Sequence, residues 1–86
     1  GVDQNMPSTS LARETFAAGM DVLSLLMETG LTASRSEGRR LVQQGGIALG
    51  DQRVEEIERV VTVDDFSDDE LIIRKGKKVY HRIVLQ

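Results

Sequence analysis

Two segments of the chain place apolar residues at helical spacing, and each segment begins with a residue that caps helices well. Asp21 precedes the run VLSLLM, and Gly30 follows shortly after it. Asp is a preferred N-cap, and Gly is the usual residue in the left-handed conformation that ends a helix. The pattern therefore predicts a short, largely buried helix over residues 21–29.

The second segment begins with the tetrapeptide SRSE, which has the spacing of a capping box. Ser34 would accept a hydrogen bond from the amide of Glu37, and Glu37 would reach back to the amide of Ser34. At about 100° per residue, one arc of this helix contains Gly38, Leu41, Val42 and Gly45, and the other contains Arg35, Ser36, Arg39, Arg40 and Gln43. We predict a helix over residues 35–44 that packs through the first arc and presents a basic, hydrogen-bonding surface on the second.

After Gly46 the hydrophobic period changes to that of strands, and β-branched residues become frequent. The predicted strands lie at residues 47–49, 52–54, 60–63, 71–75 and 78–85. Gly50-Asp51 and Gly76-Lys77 supply turns for two hairpins. The expected fold class is α+β, with two short helices packed on a small, mainly antiparallel sheet of about four to five strands.

The first twenty residues give a weaker signal. Residues 1–10 show no apolar period, and we interpret them as a linker or a remnant of recombinant expression. Residues 11–20 do not distinguish a helical turn from a short strand. The domain is therefore placed at residues 11–86.

In the last predicted strand, alternation puts His81 among apolar neighbours and Tyr80 on the opposite face. A packed, hydrogen-bonded histidine is favoured over a ligand or a base, because no carboxylate, serine or cysteine is spaced to orient it. Tyr80 is interpreted as half core and half stacking surface. With two Phe, one Tyr and no Trp, the chain lacks the platform of an aromatic-stacking RNA module.

The formal net charge of −3 conceals strong segregation of charge. Residues 51–70 contain nine acidic and two basic residues, whereas residues 71–86 contain five basic residues and no acid. The acidic run at residues 64–70 is interpreted as a solvated loop. A basic helix face and a basic hairpin turn together favour a binder of phosphate backbones, most simply RNA.

Other classes of function fit the composition poorly. A single domain of 86 residues leaves little room for a core and a deep catalytic cavity. The absence of cysteine and the single histidine argue against a thiolate or histidine-rich metal site. No run approaches the ~18 apolar residues of a membrane span, and the start of the chain does not resemble a signal peptide. We expect a soluble intracellular domain with no membrane partner.

Two longer motifs resemble known families. The run LLMETGLTASRSEGRRLVQQGGIAL resembles the alpha-L motif of the fourth protein of the small ribosomal subunit, which is also found in pseudouridine synthases and heat-shock RNA binders. The ending ELIIRKGKKVYHRIVL resembles the end of bacterial-type tyrosyl-tRNA synthetases, and its basic-Gly-Lys-Lys element favours that family.

This resemblance implies a C-terminal tRNA-binding appendage, which grips tyrosine tRNA on the side of its long variable arm and anticodon stem. The catalytic body would lie outside this chain, since neither the His-Ile-Gly-His nor the Lys-Met-Ser-Lys-Ser signature occurs here. The chain itself would be catalytically inert and need no cofactor. The parent would be a cytoplasmic tyrosine–tRNA ligase that uses ATP and tyrosine and forms a homodimer through its catalytic domain.

The resemblance also implies a set of RNA-binding residues. By position they are Ser34, Arg35, Ser36, Arg39, Arg40, Gln43, Arg74, Lys75, Lys77, Lys78 and Tyr80. The family often has Ala where Gly38 stands and Asn-Gly where Gly50-Asp51 stands. Alternatives are an alpha-L domain of an RNA-modifying enzyme or ribosome-associated factor, and a protein-interaction module that uses the acidic stretch.

Overall fold

The structure, a computed structural model, describes residues 6–86. It contains two α-helices, α1 (Val22–Glu28) and α2 (Arg35–Gln43). Two 3-10 helical turns lie at Arg13–Phe16 and Val63–Asp65. In chain order the strands are β1 (Ser8–Leu11), β2 (Met20–Asp21), β3 (Ile47–Leu49), β4 (Gln52–Arg53), β5 (Val60–Val61), β6 (Glu70–Lys75) and β7 (Val79–Leu85).

The main sheet has five strands in the order β1-β7-β6-β3-β4, and β2 pairs with β5 in a separate two-stranded sheet. All the pairs are antiparallel except β1 with β7. The helices pack on one face of the main sheet. The predicted α+β class, the hairpin at β3–β4 and the terminal hairpin at β6–β7 are therefore confirmed.

Both helices begin at the predicted caps. The Asp21 carboxylate accepts a hydrogen bond from the amide of Ser24 at 3.1 Å, and Ser34 Oγ accepts one from the amide of Glu37 at 3.2 Å. The second hydrogen bond of the predicted capping box differs from the prediction. The Glu37 side chain accepts a hydrogen bond from the amide of Ala33 at 2.8 Å rather than from the amide of Ser34. The Glu side chain is long enough to pass the N-cap, so it satisfies the amide one residue earlier.

Gly38 allows the two helices to approach closely. It is buried, and a Cβ atom built on it would lie 3.1 Å from Leu23 Cδ2 and 3.3 Å from Leu26 Cδ1. Both leucines are buried in the core, so their methyl groups have little room to move. The glycine costs helix propensity of up to about 1 kcal/mol, and the close packing of α1 against α2 offsets that cost.

The first residues of the described chain correct one expectation. Residues 1–10 were expected to be a linker, but Ser8–Leu11 forms a strand parallel to β7. The amide of Arg82 donates to Pro7 O at 2.9 Å, and the amide of Gln86 donates to Leu11 O at 3.0 Å. Ser8 and Ser10 face solvent, so the strand depends on backbone bonds to β7 rather than on a local apolar pattern. Residues 1–5 lie outside the described residues, and the linker interpretation stays a prediction for them.

The core lies between the helices and the sheet. Its fully buried side chains include Leu25, Leu26, Ile47, Ile73 and Ile83. The ambiguous segment 11–20 contributes Phe16, which is 1% exposed and lies in a 3-10 turn. The two faces of β7 alternate as predicted, except that Val79, at the open end of the strand, is 47% exposed.

His81 is a packed, hydrogen-bonded residue, as predicted. It is buried, and its Nε2 atom is hydrogen-bonded to Thr9 Oγ1 at 2.7 Å. The bond joins β7 to β1. Burial lowers the pKa of His81 below its ordinary value of 6.5, because the charged imidazolium loses more hydration than the neutral ring.

Candidate nucleic-acid interface

The polar face of α2 lies on the surface, as the helical wheel predicts. On the opposite face Gly38 and Val42 are buried and Leu41 is half-buried. The exposed residues at the start and along the outer face of the helix are Ser34, Arg35, Ser36, Arg39, Arg40 and Gln43. Their positions suit contact with a large anionic ligand, and their binding of RNA stays a prediction.

Arg35 differs from the other cations of α2 because the start of α1 holds it in place. Its Nη2 donates to Asp21 Oδ2 at 2.9 Å, and its Nη1 donates to Ser24 Oγ at 2.8 Å. Burial alone would raise the pKa of Asp21, but hydrogen bonds from Ser24 and Arg35 outweigh it and keep that pKa below 3.8. Asp21 is therefore ionised at neutral pH and fixes the Arg35 guanidinium against α1. The remaining guanidinium N–H groups are available to a ligand.

Strand alternation divides the predicted residues of the terminal hairpin between two faces. Lys75 faces the helices and donates from Nζ to Leu31 O at 2.7 Å, in the segment that connects α1 to α2. Arg74 and Tyr80 lie directly opposite each other on β6 and β7, on the other side of the sheet, and both are exposed. Sequence reasoning had grouped all of these residues as one basic element.

The turn of this hairpin, residues 76–78, contains the exposed Lys77 and Lys78. The amide of Gly76 donates to Gly46 O at 2.7 Å. The turn therefore lies next to the junction that follows α2. With the contact between Lys75 and Leu31, this bond brings together two basic segments that are far apart in the sequence.

Arg53 is a further exposed cation near this surface, and sequence reasoning missed it. Ala48 of β3 pairs with Arg53 on one side and with Arg74 on the other. A Cβ atom on Gly45 would lie 3.3 Å from both Cδ and Nη1 of Arg53, so this side chain covers the end of α2. The charge count assigned Arg53 to the acidic stretch. The pairing of β3 with β6, which was not predicted from the sequence, puts Arg53 in one row with Ala48 and Arg74.

Part of the acidic stretch is used by the fold itself. Asp65 pairs with Arg59 at 2.5 Å, Asp69 with Arg13 at 2.7 Å, and Glu70 with Arg82 at 3.3 Å. Burial opposes ionisation of Asp65, but hydrogen bonds from Arg59 and from the Thr62 amide lower its pKa below 3.8. Residues 64–70 were predicted to be a solvated loop, and Asp64, Ser67, Asp68 and Asp69 are indeed exposed. Asp65 and Glu70 are instead half-buried in ion pairs, the first at the end of a 3-10 turn and the second at the start of β6.

Residues 6–86 show no sign of two other kinds of site. No grouping of three or more His and carboxylate side chains there is arranged to hold a metal ion. None of the helices described for this chain has the length and apolar character needed to cross a membrane.

Comparison with known proteins gives a consistent match. Residues 1–83 match the family model described as "Tyrosine--tRNA ligase SYY-like C-terminal domain". The chain is 52% identical over 81 residues to a tyrosine–tRNA ligase of Acetivibrio thermocellus, an alignment that covers 94% of this chain and 20% of the relative. It is 39% identical over 82 residues to that of Clostridium tetani, which covers 95% of this chain and 20% of the relative. The chain thus spans about a fifth of the length of these curated relatives.

Proposed function

This chain belongs to the SYY-like C-terminal domain family of tyrosine–tRNA ligases, and on that basis we propose that it binds tyrosine tRNA for a catalytic domain that lies outside it. The ligand region would be the long variable arm and the anticodon-stem side of the tRNA. Binding there would orient the acceptor end for aminoacylation. The chain would act by positioning RNA and would perform no chemistry itself.

One observation carries this proposal: the fold places the two basic segments side by side. Lys75 bonds to Leu31 in the segment that leads into α2, and Gly76 bonds to Gly46 just after α2. The hairpin therefore lies next to the segments that precede and follow α2. Exposed Arg, Lys, Ser and Gln side chains on neighbouring segments suit a phosphate backbone, since Arg and Lys neutralise charge and Ser and Gln add hydrogen bonds.

The remaining properties of the parent follow from the proposal. ATP and tyrosine would be substrates of the catalytic domain, and this domain would need no cofactor. The parent would act in the cytoplasm, in translation, as a homodimer formed through its catalytic domain. An alpha-L domain of an RNA-modifying enzyme or ribosome-associated factor is less well supported, because the relatives reported above are tyrosine–tRNA ligases.

The test compares two transcripts of tyrosine tRNA, one with its long variable arm and one from which the arm is deleted. We expect the intact transcript to compete better for the protein. The logarithm of the affinity should fall linearly with the logarithm of salt, with a slope of roughly −0.7 to −0.9 per phosphate contacted. Equal affinity for the two transcripts would argue for generic RNA binding. No measurable affinity for either would refute the proposal.

A further inference from the structure

The three aromatic side chains of the chain have different environments. Phe16 and Phe66 pack edge to face, with ring centroids 5.0 Å apart and an interplanar angle of 63°. Phe16 is buried and Phe66 is partly buried against the core. Tyr80 is 42% exposed. It therefore presents the one aromatic ring that is available for stacking from solvent.

Tyr80 lies on the outer face of the main sheet, which is the face opposite the helices. On β7 the side chains of His81, Ile83 and Leu85 are buried, so Tyr80 points the other way. Arg74 is its direct partner across the antiparallel pair β6–β7 and is also exposed. Side chains in such pairs have Cβ atoms about 4.5–5.5 Å apart. A planar ring and a planar guanidinium group are thus neighbours on an uncovered surface.

The surroundings of this pair are basic. Lys77 and Lys78 are exposed in the adjoining turn. The sole acid on β6 or β7 is Glu70, which lies at the opposite end of β6 and pairs with Arg82 at 3.3 Å. Backbone phosphates would therefore be attracted to the region beside Tyr80, and no neighbouring carboxylate on these strands would repel them.

We infer that Tyr80 stacks on an unpaired base of the bound RNA, with Arg74 beside it to contact the same nucleotide. The inference rests on the proposed function, since it names the part of the RNA that this surface takes. Bases within an A-form helix are stacked on their neighbours and cannot cover a protein ring, whereas bases in loops, bulges and ends can. Stacking on an aromatic ring tolerates any base, and an arginine plane adds to it. One ring implies one nucleotide rather than an extended platform.

The composition of the chain provides a direct assay. It contains one tyrosine and no tryptophan, so its tyrosine emission comes from Tyr80 alone. We expect a transcript of tyrosine tRNA to quench this emission, and a fully paired RNA duplex to leave it unchanged at the same degree of binding. A free tyrosine derivative in the same RNA solutions corrects for absorption of light by the RNA.

A pair of variants separates stacking from simple apolar contact. Tyr80→Phe keeps the ring and should bind the transcript as the wild type does. Tyr80→Leu removes the π face and should weaken binding of the transcript about fivefold to a hundredfold, with little change for the duplex. Thermal midpoints of both variants should match the wild type, because the side chain is exposed.

The outcomes distinguish this inference from the proposal beneath it. If the transcript binds without quenching the emission, or if the Tyr80→Phe and Tyr80→Leu variants bind it equally well, Tyr80 does not stack and the RNA-binding proposal stands. If Tyr80→Leu weakens binding of the transcript and of the duplex equally, the ring has only a structural role. If no RNA binds the wild-type chain, both the inference and the proposed function fail.

Discussion

Replacing Lys77 and Lys78 with glutamine tests whether the terminal hairpin binds RNA through its turn. Both side chains are exposed, and none of the ion pairs within residues 6–86 involves either of them. The double variant removes two positive charges without removing a contact that stabilises the domain. We therefore expect the free energy of unfolding to change by less than about 0.5 kcal/mol.

The expected loss of affinity follows from counterion release. If each lysine neutralises one phosphate, the double variant should reduce the magnitude of the slope of log affinity against log salt by about 1.4 to 1.8. Relative to 1 M salt, where this contribution vanishes, two contacts contribute about 25- to 60-fold in affinity at about 0.1 M salt. Binding of a tyrosine tRNA transcript should weaken by that factor at low salt, and the difference should disappear as salt approaches about 1 M.

A matched control makes the same change in net charge at the other end of the hairpin. Ser67→Glu with Gln86→Glu adds two negative charges at exposed positions. The six residues of β6 span about 20 Å, which exceeds the Debye length of about 8 Å. If this control weakens binding as much as the lysine variant does, net charge governs affinity and not the turn. A large fall in the thermal midpoint of the lysine variant, with RNA binding retained, would refute the functional assignment of the turn.

Three further predictions concern stability. Asp21→Asn keeps a good N-cap but removes the charge that holds Arg35, so urea unfolding at neutral pH should show a loss of no more than about 1 kcal/mol in the free energy of unfolding. The difference in stability between the variant and the wild type should disappear as pH falls from 3.8 through the lower pKa of the folded state, because the wild-type carboxylate is then also neutral. Because burial lowers the pKa of His81, its stabilising effect is complete above pH 6.5 and is lost as pH falls below that value; His81→Gln should flatten unfolding midpoints measured across this range, and an unchanged slope would contradict the assignment. Gly38→Val should destabilise the domain by about 1 to 3 kcal/mol in calorimetry, because its side chain would meet Leu23, and an unchanged midpoint would show that α1 can move away from α2.

The helices could be predicted because their signals are local. Asp21 and Ser34 accept hydrogen bonds from amides three residues later, and Gly30, which follows the C-cap residue Thr29 of α1, has a φ of +77°. Each of these features depends on a few neighbouring residues. The helical wheel of α2 separated buried from exposed positions for the same reason, since one period within one element decides it.

The first strand could not be predicted because its partner is distant in the sequence. Thr9 pairs with Ile83, and Ser10 pairs with Val84, in a parallel arrangement. The segment itself has few apolar residues, and nothing in its own pattern indicates a strand. Backbone pairing with the edge of β7 and the hydrogen bond between Thr9 and His81 stabilise the strand. Thr9 and His81 become adjacent only in the folded chain.

The candidate site was predicted as a set of residues, and its arrangement was not. Counting charges along the chain grouped Arg74 with Lys75, although consecutive strand residues point to opposite faces. The same count hid Arg53 among acidic neighbours, although strand pairing places it in one row with Ala48 and Arg74. Charge composition therefore predicts a class of ligand, whereas strand register is needed to predict which surface would bind it.

The cations of this surface fall into two kinds, and the distinction bears on how the domain would select an RNA. Arg35 and Lys75 are anchored, the first by Asp21 and the second by Leu31 O. Arg39 and Arg40 are exposed and take part in none of the ion pairs within residues 6–86. A flexible cation follows a phosphate wherever it lies, so it adds affinity for any RNA. An anchored cation has a position set by the fold, and only an RNA whose phosphates match that position benefits from it. Loss of an anchored cation should therefore reduce discrimination between tRNAs more than it reduces affinity for RNA in general.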